Sequence, residues 1–230
     1  NEGEQLYAND SVVETEPTLV CGSPRSGILA GQGYAAASGL PYVQVLIKNP
    51  NYTSQRTFIL ENETRRIQAC RNKFCIAPDH TETVNGASVI LVDYSIVRGH
   101  TMRHVVKLLL DAGAREVHVR VASPPVQHPC QWGIDMPTRA EMVYHQVQRN
   151  TIPKSKYTHD EVVQAIAQQI CCTTLRYLSL SDIQTVRNRL HPTRATMGRV
   201  CAVCFGGEEV VQKSGGGGCG EGGCVRALEW

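Results

Sequence analysis

The sequence predicts an α/β protein, and three adjacent segments carry that prediction. Ser88–Asp93 is a continuous apolar run, as expected of a strand buried on both faces of a parallel sheet. Thr101–Ala112 places Val105, Val106, Leu108, Leu109 and Ala112 on one helical face and stops at Gly113. Glu116–Ala122 alternates as a second strand and ends at Ser123-Pro124-Pro125. Strand, loop, helix and strand within 35 residues make a βαβ unit, whose crossover is expected to be right-handed.

The remaining elements follow from the same signals. The acidic opening to Pro17 is weakly patterned and reads as an arm or linker. Thr18–Cys21 is a short apolar run ended by Gly22-Ser23-Pro24, and the Ala-rich Gly27–Ser38 predicts a helix ended by Gly39. Tyr42–Ile47 reads as a strand, and Glu63–Phe74 as a helix inside a long polar stretch. Beyond Pro129 the pattern turns helical. Thr158 with Glu161 forms a capping box for a helix over Asp160–Ile170, and Ser181 or Asp182 opens another reaching Leu190. Ser214–Gly223 is glycine-rich and reads as a flexible tail. The expected organisation is an arm over 1–17, a core over 18–150, a helical extension over 151–206 and a tail over 207–230.

Composition narrows the class. The 230 residues are 42% hydrophobic and 19% charged, which suits a globular chain. A net charge of +2, from 23 basic and 21 acidic residues, offers little counterion-release attraction for nucleic acid. No run approaches the roughly 18 to 20 apolar residues of a membrane span. Ten cysteines fall below the roughly 8–10% typical of disulfide scaffolds, so their positions must decide their roles. Cys201-x-x-Cys204 alone is compatible with a zinc knuckle, a redox pair or half of an iron–sulfur site. Cys21, Cys70, Cys75, Cys171 and Cys172 read as packing residues, the last four at helical positions.

The chemistry centres on Asp93–Thr101. Unpaired N–H groups at a helix start, the helix dipole, the Ser95 and Thr101 hydroxyls, Gly99 and Arg98 together favour an anion, commonly a phosphate. Asp93 falls at the carboxyl end of its strand, where doubly wound sheets hold ligands. On local pattern alone an ordinary βα turn explains the segment equally well. Gly31-Gln32-Gly33-Tyr34-Ala35-Ala36 imitates a dinucleotide fingerprint, but it lies inside a helix with no acidic residue some 20 positions on.

Taken whole, Val89–Thr101 (VILVDYSIVRGHT) resembles the phosphoribosyl-pyrophosphate (PRPP) motif of the type I phosphoribosyltransferases, and most nearly the amidophosphoribosyltransferase family. The likeness extends through Ala112–Arg120, Ser123–Cys130, Gly133–Met136, Tyr177–Leu180 and Cys201–Gly206. Upstream it takes in Gly33–Ala35, Gly39–Tyr42, Leu46–Asn49 and Arg56–Ile59, all in the same order. It implies a type I phosphoribosyltransferase fold, a mostly parallel sheet flanked by helices with a C-terminal helical extension. It also implies the formation of 5-phosphoribosylamine from PRPP and ammonia, a glycosyltransferase reaction that opens de novo purine synthesis.

By the same resemblance, Asp93 engages the ribose hydroxyls and magnesium, with Ser26 on the magnesium side. Ser95, Val97, Arg98, Gly99 and Thr101 hold the 5-phosphate. Lys48, Arg66, Arg71 and Lys73 face pyrophosphate, and Arg56 belongs to a loop that closes over the substrate. Asp93, Lys48 and Arg56 are the expected catalytic residues. Cys130, Cys201 and Cys204 match three of four [4Fe–4S] ligands in the cluster-bearing branch of the family. A glutaminase domain N-terminal to the present sequence, a homo-oligomer and a cytoplasmic setting without nucleic-acid or membrane partners complete the implication. The sequence departs from the family pattern at two acidic positions: Asp-Asp becomes Asp93-Tyr94, and Pro-Asp-Ser-Gly becomes Pro24-Arg25-Ser26-Gly27. The alternatives are a PRPP-binding regulatory homologue without catalysis, and a salvage phosphoribosyltransferase acting on a base.

Overall fold

The computed structural model describes residues 2–8, 18–50, 73–130, 132, 134, 136, 138–150, 157–190 and 201–206. Four parallel strands form its central sheet: β1 (Thr18–Gly22), β4 (Ser88–Asp93), β5 (Glu116–Val121) and β6 (Thr174–Tyr177), in the order β1-β4-β5-β6. Thr18 stands opposite Ser88, Ser88 opposite Glu116 and His118 opposite Thr174. The connections are helical: α2 (Ile28–Ser38), α4 (His100–Asp111), α5 (Val143–Asn150) and α6 (His159–Ile170), with α7 (Leu180–Leu190) after the last strand. A second, two-stranded antiparallel sheet pairs β2 (Leu46–Lys48) with β3 (Phe74–Ile76), and a short helix α3 (Thr81–Val84) leads from it to β4.

Both faces of the sheet are covered, which is why β4 is apolar at consecutive positions instead of alternate ones. Val89 and Leu91 join Val105, Val106 and Leu109 of α4 and Val162, Ile166 and Ile170 of α6 on one face. Ile90 and Val92 point the other way, toward Tyr34 and Ala35 of α2, Leu6 and Leu178. The second face also buries a polar stripe. Arg120 is fully enclosed, its Nη1 donating to the Val119 carbonyl at 2.9 Å and to Thr174 Oγ1 at 3.0 Å. His118 Nδ1 lies 2.9 Å from the same hydroxyl.

The helix boundaries follow the expected chemistry. α2 ends at Gly39, whose φ of 75° is left-handed, and α6 begins at the Thr158–Glu161 capping box with both reciprocal hydrogen bonds formed. Other expectations are corrected. Residues 2–8, read as part of an arm, form helix α1 (Glu2–Ala8), which buries Leu6 and packs on α2, with Tyr7 edge-on to Tyr34. The strand expected over Tyr42–Ile47 splits in two. Tyr42 bridges Val20 at the outer edge of β1, and only Leu46–Lys48 reaches the second sheet. The Gln44 amide donates to the carbonyls of Gly22 and Leu46 and holds that bend. The helix expected over Glu63–Phe74 lies mostly outside the described residues, and its last residue, Phe74, begins β3.

β6 was not expected: four residues are too short for a period to register, and pairing with β5 makes them a strand. The segment read as a helical extension therefore also supplies the edge strand of the sheet. Cys75 is in β3, Cys171 is an exposed left-handed cap, and Cys172 beyond it is half-buried against the core, so Cys172 packs as expected but none of the three lies within a helix. Among the described residues no helix is long and apolar enough to cross a membrane.

Leu109 is fully enclosed, whereas its neighbour Leu110 is 37% exposed. Leu109→Ala should destabilise the fold by about 2–5 kcal/mol, and Leu110→Ala by no more than about 1 kcal/mol. Urea denaturation of both variants checks the contrast.

Candidate active site

α2 packs on one face of the sheet and α4 on the other. Because β1 and β4 are neighbours, the chain leaves their carboxyl ends in opposite directions, opening a crevice of the kind where doubly wound sheets bind ligands. Two loops line it: Gly22–Gly27, leading to α2, and Tyr94–Gly99, leading to α4.

The first loop is pressed onto the end of β4. Ser23 N–H donates to the Val92 carbonyl at 2.8 Å, and Gly27 N–H to the Ser23 carbonyl at 2.9 Å. A Cβ on Gly27 would stand 1.9 Å from the Val92 oxygen, so no side chain fits there. This approach brings Ser26 to Asp93: the Ser26 hydroxyl donates to Asp93 Oδ1 at 2.7 Å, and the Tyr94 N–H donates to the same oxygen at 2.8 Å. Asp93 is almost fully buried, and burial pushes its carboxyl above the ordinary range. The hydrogen bonds of Ser26, the Tyr94 N–H and Ser23, with the charge of Lys73, oppose that rise.

The second loop is tied to the other side of the molecule. Gly99 caps α4 at φ 80°, in the left-handed region glycine tolerates, and Val143 closes over it, its Cγ2 3.2 Å from where a Cβ would be. Val143 N–H donates to the Val97 carbonyl at 2.8 Å. Arg98 Nε pairs with Glu141 Oε1 at 3.4 Å, while Glu141 Oε2 accepts from the Thr138 N–H and hydroxyl at 3.0 Å each. The arginine expected to add charge to the loop is thus oriented by a capping box on a distant segment. Ser95, Val97 and Thr101 are half-buried around the loop and the first turn of α4.

Of the expected pyrophosphate-facing residues, Lys73 comes within electrostatic reach of Asp93. Its carbonyl accepts the Asn49 N–H at 3.0 Å, and Lys48 sits opposite Phe74 in the same small sheet. Arg56, Arg66 and Arg71 lie outside the described residues. Sequence reasoning missed Ser23 and Glu141. Thr138-x-x-Glu141 is a legible capping box, but its tie to Arg98 crosses more than 40 residues.

The amidophosphoribosyltransferase of Mycobacterium tuberculosis is 40% identical to this chain over 197 residues, covering 86% of the chain and 34% of that protein. That of Bacillus subtilis is 38% identical over 204 residues, covering 89% and 38%. Among solved structures, the glutamine PRPP amidotransferase of B. subtilis complexed with ADP and GMP matches with a TM-score of 0.63 at 34% identity, over 90% of this chain and 40% of that one. The chain is homologous to the amidophosphoribosyltransferases. Its fold is that of their type I phosphoribosyltransferase domain. The chain spans little more than a third of the length of these curated relatives. No family model matches it.

Homology gives the departures a physical reading. Tyr94, where the family pattern has a second carboxylate, is 59% exposed at the crevice mouth and carries a neutral phenol. Arg25 is exposed on the first loop with a left-handed φ of 73°. The magnesium that the family implies meets a poor ligand set. Asp93 is buried and already bonded at Oδ1, the charge acting on it is that of Lys73, and among the described residues no group of three or more His, Cys, Asp or Glu side chains could hold a metal ion.

Away from the crevice, the three cysteines expected as cluster ligands lie near one another, but among the described residues they do not form a group that could hold a metal ion. Gln127 and His128 N–H groups donate to the Cys204 carbonyl at 2.7 and 3.0 Å, docking the Cys201–Cys204 turn beside the Cys130 segment. Burial, and then the neighbouring Cys201 and Cys130 sulfurs, push the Cys204 thiol up. His128 and His145 stand close by, ring centroids 6.3 Å apart.

Because the folded state holds the Asp93 proton more tightly than the unfolded chain does, stability should fall as pH rises from 3.8 through the raised value. Above it the buried charge is a standing cost. Asp93→Asn keeps the Oδ1 contacts with Ser26 and the Tyr94 N–H without the charge, so its urea midpoint near neutral pH should exceed the parent's, the gap closing toward acid. A lower midpoint at neutral pH would show that the charge stabilises the fold.

Proposed function

We propose that this domain forms 5-phosphoribosylamine from PRPP and ammonia, the first step of de novo purine synthesis, with ammonia supplied from glutamine by a further part of a longer protein. Supporting this is the convergence of Asp93, Ser26 and the Tyr94–Gly99 loop at the crevice between β1 and β4, in a domain homologous to amidophosphoribosyltransferases.

The 5-phosphate lies against the loop N–H groups and the first turn of α4, where the helix dipole favours negative charge. The carboxylate of Asp93 accepts from the ribose hydroxyls. Ammonia attacks C1 as the bond from C1 to the pyrophosphate oxygen breaks. Pyrophosphate leaves with the electron pair, and the new C–N centre sheds one proton. Charge builds mainly on the leaving group, so positioning and cationic contacts from Lys73, Lys48 and the Arg56–Arg71 stretch do most for the rate, and no protein nucleophile is needed.

Pyrophosphate release from PRPP in the presence of ammonium tests this directly. Release above background supports the reading. Binding of PRPP without release would sink it in favour of a regulatory homologue. Asp93→Asn should raise KM for PRPP about 10–100-fold, the worth of a hydrogen bond to a charged group.

We further propose that in the longer protein Cys130, Cys201 and Cys204, which among the described residues do not form a metal-holding group, become three ligands of a [4Fe–4S] cluster once a fourth ligand is supplied. Anaerobic reconstitution of the longer protein with iron and sulfide should give the visible absorption of a cluster. Cys201→Ser and Cys204→Ser should each abolish it, and unchanged absorption in either variant would reject the assignment.

A further inference from the structure

We propose that this site takes the pyrophosphate end of its ligand without a divalent cation, with the Arg25 guanidinium as the counter-charge. The inference rests on the PRPP reading and specifies how that ligand's leaving group is neutralised.

The charge balance of the crevice carries it. A hard divalent cation needs oxygen ligands and is helped most by carboxylates. Asp93 is the carboxylate at the end of β4, and it is turned inward. It is almost fully buried, and its Oδ1 accepts from the Ser26 hydroxyl at 2.7 Å and the Tyr94 N–H at 2.8 Å. Bonding from Ser23 and the charge of Lys73 offset its burial only in part. Next to this carboxylate Tyr94 is an exposed phenol, and Arg25, one residue before Ser26, is exposed on the first loop. A divalent cation entering here meets the like charge of Lys73, whereas a pyrophosphate meets that cation and, in the arrangement proposed, Arg25.

Arg25 is also firmly placed. It sits one residue before the Ser26 hydroxyl that bonds Asp93, on a loop pinned at both ends to β4: Ser23 by its hydrogen bond to Val92, Gly27 by a contact too close for any Cβ. Its backbone occupies the left-handed region, φ 73°, which costs a non-glycine residue and persists where the surroundings enforce it. A guanidinium held there offers a planar fork of donors that matches phosphate oxygens two at a time. In effect, a covalently attached cation occupies ground that a carboxylate would otherwise use to recruit a metal.

The test is calorimetric titration of the whole chain with inorganic pyrophosphate, once in excess chelator and once in excess magnesium. Metal-free binding should be at least as tight as binding with magnesium. Arg25→Asp should weaken binding in chelator by tenfold or more and make it magnesium-dependent, and Arg25→Gln, which removes the charge without reversing it, should give the first effect without the second. Melting curves of both variants establish that they are folded. Magnesium tightening of the parent by tenfold or more overturns this inference while leaving the PRPP reading intact, as does unchanged chelator affinity in Arg25→Gln. Absence of pyrophosphate and PRPP binding under both conditions overturns the PRPP reading itself and this inference with it.

Discussion

The Gly22–Gly27 loop touches the end of β4 backbone to backbone, and the site depends on that contact. Ser23 N–H takes the Val92 carbonyl, the last main-chain acceptor before Asp93, and Gly27 lies against the same oxygen with no room for a side chain. Two neighbouring strands are thereby joined at their carboxyl ends by a hydrogen bond outside the regular ladder. Ser26 is carried onto Asp93, and the N-terminus of α2 is set beside that of α4. A wider loop would leave the carboxylate without its hydroxyl partner.

The second constraint is the charge on Asp93. Burial raises the cost of ionising it, and three hydrogen-bond donors and Lys73 lower that cost again without cancelling it. The protein therefore holds at its most enclosed functional position a group that works against its own stability, a pattern expected where a charge is kept for a ligand and not for the fold. The opposite arrangement holds at Arg98, whose guanidinium is anchored by Glu141 across the crevice wall. One loop is set by contact with β4 and the other by contact with the Thr138–Val143 segment, so the two sides of the crevice are fixed independently.

Much of the fold was legible because both-face burial and helical amphipathicity leave marks over six or more residues: β4, α4, β5 and α6 fall within a residue or so of their expected bounds. Short elements were not. α1 spans two turns whose only strong apolar anchors are Leu6 and Tyr7, and β6 has four residues that become a strand by pairing with β5. The Tyr42–Lys48 run has strand composition throughout, yet the Gln44 side chain diverts it from one sheet to the other, which no local period encodes.

By itself the sequence determined the α/β class, the order of the βαβ unit and the residue types available at the crevice, including the two positions where a carboxylate gives way to Arg25 and Tyr94. These are properties of pattern and identity, which a chain carries before it folds. Only the tertiary structure decided that Ser26 bonds Asp93 across 67 residues, that Lys73 reaches the same carboxylate, that Glu141 orients Arg98 and that Arg120 is enclosed within the sheet. Each of those depends on distance between segments remote in the chain, and distance is set by how strands pair and loops close, not by the composition of any one of them.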